Sequence, residues 1–374
     1  MKSVVEILSD LIRIPSPSAI SNRPVVEYAS QALRGAGWSV RDFPYFDAAG
    51  VEKVNLIAAP PGQSPEEPRA DLAVVCHTDT VPYAADWPQA LEPFVSDGVL
   101  HGCGACDVKG FLAVILAAID GENRSHFPNG LRIVLTAEEE IGCVGSARLL
   151  KEDVLRPRRM IIGEPTSLHP ARAGKGYCLA EVTVFGKEAH SAHPQQGVSA
   201  IYQAARLISA IEELAAEFAH ETHPFFEPGF TSLNVGTIQG GTAKNIVPGS
   251  CRFQLEWRPI PGQAADRVLA RVVGIAEEMK RERADFRAEI RPVRQQSGFE
   301  TSANAPLVRS LETLTGRSAV SIPFGSEASV FGPLTEEIVV IGPGDMRTAH
   351  SSRECVAVAE LEEAVRFLGF LMRQ

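Results

Sequence analysis

The sequence runs to 374 residues, enough for two domains of roughly 100 to 200 residues each. Hydrophobic residues make up 45% and charged residues 22%, and the 31 glycines and 26 prolines follow no repeat, which excludes a disordered, collagen-like or coiled-coil chain. Acids outnumber bases 46 to 36, a net charge of -10, so no bulk attraction to nucleic acid or to an anionic membrane is expected.

Apolar positions Val4, Val5, Ile7, Leu8, Leu11 and Ile12 recur at helical spacing, and Glu6 and Asp10 stand where a leader would carry basic residues. The longest apolar run, Phe111 to Ile119, falls well short of the roughly 20 residues that span a bilayer, so a cytoplasmic address is expected. The next helix, from about Pro24, ends at Gly35-Ala-Gly37. Short aliphatic runs follow at Asn55 to Ala58, Leu72 to Cys76, Leu131 to Thr136, Met160 to Ile162 and Ile338 to Ile341, interleaved with helical stretches. Near-continuous apolar strands alternating with helices predict an α/β domain with a largely parallel central sheet covered on both faces.

From about Lys175 the pattern changes. An alternating strand (Leu179 to Phe185), a long helix (Val198 to Ala219), strands at Thr231 to Ile238 and Cys251 to Trp257, and a helix at Ala264 to Arg281 describe a separate α+β piece. The α/β pattern resumes near Phe299 and closes with a helix from Ala359 to Met372. The expected organisation is a discontinuous domain of residues 1–174 and 294–374, with 175–293 inserted.

The seven cysteines are an odd number, spread widely, which suits reduced thiols. Cys103 and Cys106 form one close pair, read as structural or incidental because no second pair completes a zinc site.

Chemistry concentrates where strands end. The strand Leu72 to Cys76 runs into His77-Thr-Asp79, and two residues apart on an extended chain share a face. A capping Asp beside a chance histidine is the plainer reading of that pair alone. Asp107 precedes the apolar helix, Glu138, Glu139 and Glu140 follow a buried strand, Glu164 follows Met160 to Ile162, and His350 follows Ile338 to Ile341 after a Gly/Pro loop. Carboxylates gathered at strand ends repel unless a cation compensates them, and these segments have too few Arg or Lys for a buried salt-bridge cluster. Two imidazoles and several carboxylates suit zinc, cobalt or manganese, in a number that can hold two ions.

Seven stretches carry a family resemblance: His77-Thr-Asp79-Thr-Val-Pro82, Gly104 to Gly110, Thr136 to Gly142, Gly163-Glu-Pro-Thr166, His190-Ser-Ala-His-Pro194, Asn245-Ile-Val-Pro248 and Ala349-His350. In this order they resemble the dinuclear zinc aminoacylases and exopeptidases, the family of acetylornithine deacetylase, succinyl-diaminopimelate desuccinylase and glutamate carboxypeptidase. The resemblance implies a metal-dependent hydrolase of the amide in a small N-acyl amino acid, N-acetyl-L-ornithine foremost. A desuccinylase, an acyl-lysine deacylase, a dipeptide-cleaving carboxypeptidase and a non-catalytic binding relative are the alternatives.

The resemblance makes His77 and Glu164 ligands of one divalent ion, zinc or cobalt, Glu140 and His350 ligands of a second, and Asp107 the bridge. Asp79 would orient His77, and Glu139 would be the general base. The presence of Glu139 beside a ligand argues for catalysis over metal storage. The inserted domain would mediate a homodimer and close over the site, offering His190 to the oxyanion. Lys175, Asn245, Arg258 and Ser326 match positions that bind the substrate carboxylate, a task to which the arginine fork is suited. Three departures stand out: Cys103 where the deacetylases tend to have Arg, Glu138 where Asp is common, and Ser351-Ser-Arg-Glu354 in place of Pro-Asp-Glu after the last histidine. Cys106, next to the bridge, is expected to be sensitive to oxidation or to foreign metals.

Overall fold

Strand Leu131–Thr136 is buried at every position, as a strand with both faces covered must be. Around it the computed structural model, which describes residues 2–119 and 127–374, builds a sheet in the order Ser39–Phe46, Glu52–Ala59, Leu131–Thr136, Arg69–His77, Arg156–Ile162, Glu337–Val340. The four strands from Leu131–Thr136 to Glu337–Val340 are parallel. The run Asn55 to Ala58 was expected in the parallel set, and it runs antiparallel to its neighbours on both sides. Strand Ser39–Phe46, at the edge, was not anticipated; it contains Pro44, which only an edge tolerates.

Helix Lys109–Ile119 is buried except at Ala117 and packs against Val4–Ile12 and Val358–Leu371. A helix apolar all round belongs in a core, which is why this run is not a membrane span. Among the described residues no helix is long and apolar enough to cross a membrane.

The chain divides into two compact units. The first takes the chain up to Arg172, then Glu300–Val320 and Ser326–Gln374; the second takes Ala173–Phe299 and Ser321–Gly325. The boundary expected at 293 falls inside strand Arg287–Gln296, which pairs with Tyr177–Phe185, so the break comes later. The second unit is an antiparallel sheet in the order Ser232–Gly240, Ser250–Arg258, Tyr177–Phe185, Arg287–Gln296. Its strand Tyr177–Phe185 alternates buried and half-buried positions, and the buried side meets helices Ala200–Phe218 and Arg267–Glu282 in one apolar cluster.

Candidate metal centre

The parallel strands deliver four segments to one edge of the first unit, the carboxyl edge where open α/β sheets place their ligands. His77 is the last residue of Arg69–His77, Glu138 to Glu140 follow Thr136, Glu164 lies two residues beyond Ile162, and His350 sits in the loop after Val340. Asp107 comes from the turn that opens helix Lys109–Ile119.

Asp107 stands between the two histidines. Its Oδ1 lies 3.2 Å from His77 Nε2 and its Oδ2 lies 3.0 Å from His350 Nε2, which is also 3.2 Å from Glu140 Oε2. One ligand atom from each of His77, Asp107 and Glu140 falls within 4.8 Å of the others. The Nδ1 of His77 donates to the backbone oxygen of Asp79 at 3.0 Å, which leaves Nε2 as the face turned to Asp107. Glu140 Oε1 is buried and without a hydrogen-bond partner. Orphaned buried oxygens beside lone-pair nitrogens are what a divalent cation satisfies, so the donor set fits the metals expected for it.

The electrostatics point the same way. Burial, aggravated by Glu140 and other carboxylates, pushes the Glu139 carboxyl up to about 8. Burial also raises Glu140, and burial with the charge of Asp107 raises Glu164 well above the carboxylate range. Hydrogen bonds to Asp107 and Glu140 lift His350 to about 10. Burial opposes the charge on His77, yet Asp107 and Asp79 raise its pKa well above that of free imidazole. Among the described residues no Lys or Arg forms an ion pair with Asp107, Glu140 or Glu164, so positive charge must come from protons on histidine or from a metal.

Asp79 does more than face His77. Its carboxylate lies 3.7 Å from Nδ1, while it accepts from Ser18 Oγ at 2.6 Å and from the backbone N–H groups of Glu139 and Glu140 at 3.1 and 3.4 Å. It therefore holds Glu139 and Glu140 together through their backbone amides. Glu138, in the left-handed region at φ 59°, turns away and accepts from Tyr45 Oη at 2.8 Å. The Cys143 thiol donates to Glu139 Oε1 at 3.3 Å. Ser18 and Tyr45 were not anticipated, since no spacing links them to these carboxylates, and Cys143, four residues after Glu139, was counted only among the scattered thiols.

The remaining expected residues are spread more widely. Ser326 is buried and its Oγ accepts from Ala328 N, the first residue of the short helix Ala328–Phe331. In the second unit Lys175 Nζ donates to the carbonyls of Pro228 and Phe230, both at 2.7 Å, which ties the 228–230 segment to it. Arg258 donates from Nε to Glu256 and from Nη1 to the Pro323 carbonyl, with its guanidinium over Tyr177. His190 and Asn245 come together: His190 pairs with Ile246, and Ser191 N donates to the Asn245 carbonyl. The N–H of Ala192 donates to His190 Nδ1, so an exposed Nε2–H remains. Cys106 is fully buried, and burial with the charge of Glu354 raises its thiol well above the usual range, so the expected sensitivity to oxidation finds no support.

The model of Peptidase family M20/M25/M40 matches residues 73–374, which include all of these metal-ligand candidates. The chain belongs to this family. Curated relatives of this M20 chain are named acetylornithine deacetylase: that of Myxococcus xanthus is 46% identical, covering 95% of this chain and 92% of its own, and that of Proteus mirabilis is 30% identical, covering 100% and 96%. Solved M20 folds agree with its architecture. A metallo-carboxypeptidase from Sulfolobus solfataricus superposes with a TM-score of 0.75 at 18% identity, covering 100% of this chain and 99% of its own. A Bacillus subtilis protein described as a dinuclear metal binding peptidase superposes with a TM-score of 0.68 at 14% identity, covering 99% and 96%. As an M20 member the protein is a metal-dependent amidohydrolase.

Proposed function

We propose that this protein hydrolyses N-acetyl-L-ornithine to L-ornithine and acetate. The reading is supported by relatives of that name at up to 46% identity and, within the site, by the carboxylate of Asp107 standing between His77 and His350 with Glu139 alongside. In this reading His77 and Glu164 hold one divalent ion, Glu140 and His350 the other, and Asp107 both. Zinc or cobalt matches the donors. Such a pair supplies Lewis-acid polarisation of the amide carbonyl and water acidified to a pKa of about 7.

The chain's own groups do the rest. Glu139 takes the proton of the attacking water and delivers it to the leaving amine, so that the amide C–N bond breaks to give the amino acid and the free acid. Cys143 occupies Oε1 of Glu139, which leaves Oε2 as the oxygen that carries this proton. Asp79 keeps Glu139 and Glu140 in step through their backbone amides. His190, its Nε2–H free to donate, stabilises the oxyanion within a homodimer, and Asn245 and Arg258 bind the substrate carboxylate. Lys175 holds the 228–230 segment and Ser326 accepts from the first residue of helix Ala328–Phe331. A cytoplasmic setting agrees with the reduced thiols.

The experiment is a rate panel with chelator-stripped protein reloaded with zinc or cobalt. Acetate release from N-acetyl-L-ornithine should exceed turnover of N-succinyl-diaminopimelate, acetyl-lysine and a glutamate dipeptide. Faster turnover of another member would reassign the substrate, and metal-independent turnover would sink the mechanism.

A further inference from the structure

Three backbone N–H groups of the turn that carries Asp107 converge on one buried side chain, Glu354. Gly104 N donates to Oε2 at 3.0 Å, and Cys106 N and Asp107 N donate to Oε1 at 3.2 and 3.1 Å. Cys106 Sγ adds a longer contact to Oε1 at 3.6 Å. Glu354 is 2% exposed and stands on the same loop as His350. That loop is tied to itself by Glu354 N to Ser351 O and by Ser351 Oγ to Thr348 O, and to the Asp107 turn by Gly102 N to Glu354 O.

Both oxygens of Glu354 act as acceptors, and each of these partners is a donor. A carboxylate meets that demand, whereas an amide would turn an NH2 group toward one of the N–H groups. The three amide dipoles all point at this one carboxylate.

We infer that Glu354 is a positioning residue for the metal centre: it grips the 104–107 turn from the His350 loop and so fixes the bridging carboxylate of Asp107 against the imidazole of His350. The inference rests on the reading of Asp107 and His350 as ligands. The two side chains it would align are 3.0 Å apart, and His350 holds a left-handed backbone, φ 57°, that a free loop would seldom keep. Partners behind metal ligands commonly matter this much to a site.

The test compares wild type with Glu354→Gln and Glu354→Asp, using Co2+ as the probe, its visible absorption spectrum and competition with a chelator. Glu354→Gln, equal in size, should weaken Co2+ binding about 10- to 100-fold, alter the spectrum, and lower kcat for N-acetyl-L-ornithine with little change in KM. Glu354→Asp keeps both acceptors on a shorter stem and should fall between. A folded Glu354→Gln variant with wild-type Co2+ affinity and spectrum would overturn the inference. Should that variant fail to fold, Glu354→Asp decides, and wild-type affinity and spectrum there would overturn it equally. If wild type itself binds no Co2+, the reading of the centre fails, independently of Glu354.

Discussion

Glu139, the proposed base, has surroundings that resist its charge. Its amide is tied to Asp79, its Oε1 to Cys143, and its carboxyl is pushed up to about 8 by burial and by Glu140. Replacing it by Ala should leave bound metal unchanged and lower kcat by about 10²- to 10⁴-fold, the usual range for a general base. His350→Ala should instead lose about half of the bound metal, read by elemental analysis; full metal and full activity in either variant would contradict the assigned roles. The same groups predict a pH effect. Glu139 is raised from 4.5, so the folded protein holds this proton more tightly than the unfolded chain; the stability it contributes is complete below about pH 4.5 and is lost as pH rises through about 8. His350, raised from 6.5 to about 10 by its bonds to Asp107 and Glu140, acts in the same direction, complete below about 6.5 and lost through about 10. Chelator-stripped protein should therefore melt lower at about pH 9 than at about pH 6, and zinc should raise the midpoint more at the higher pH, because the ion replaces protons. A midpoint that rises with pH in the stripped protein would refute this.

Strand ends and the turns after them position the site, and close packing holds the turns. A Cβ on Gly163 would lie 2.0 Å from the buried ring of Phe111, directly before Glu164. Gly163→Ala should destabilise by about 1 to 3 kcal/mol through overpacking and weaken metal binding at the His77 and Glu164 side, seen by thermal unfolding and metal titration. Asn55, buried in strand Glu52–Ala59, accepts from Ala137 N and donates to the Gly145 carbonyl, so it brackets the Glu138 to Glu140 turn. The proposed ligands could be picked out in the sequence because His77, Glu140, Glu164 and His350 each come after an apolar strand run, and Asp107 stands just before the apolar helix. Asn55 was read only as the start of such a run, since its partners lie 82 and 90 residues away. Glu354 looked like part of a departure from the family pattern because three backbone amides, which no side-chain motif records, define its place. Strands Ser39–Phe46 and Arg287–Gln296 escaped notice because edge strands carry polar residues and proline, Pro44 and Pro292, and lack the continuous apolar runs of covered strands.

The family model over residues 73–374, the first unit's sheet and the proposed ligand positions describe one hydrolase, while the second unit carries the elements proposed to pair two copies. Its edge strand Ser232–Gly240 is hydrogen-bonded on one side only, with Ile238 56% exposed, and Tyr202 is 70% exposed on helix Ala200–Phe218 beside a groove of about 820 Å³. Unprotected edges of this kind favour pairing with another chain. Light scattering should give about twice the chain mass for wild type and a single chain mass for the double variant Tyr202→Glu, Ile238→Asp, with kcat lost alongside. A fully active monomer would exclude the proposed role of His190 across the dimer. The most direct measurement is zinc bound per chain after stripping and reloading, read together with acetate released from N-acetyl-L-ornithine at each step of the titration. Two equivalents, with turnover absent before metal and complete at or before the second, is the predicted result. Turnover without metal, or two bound zinc ions with no hydrolysis of this substrate, would contradict it.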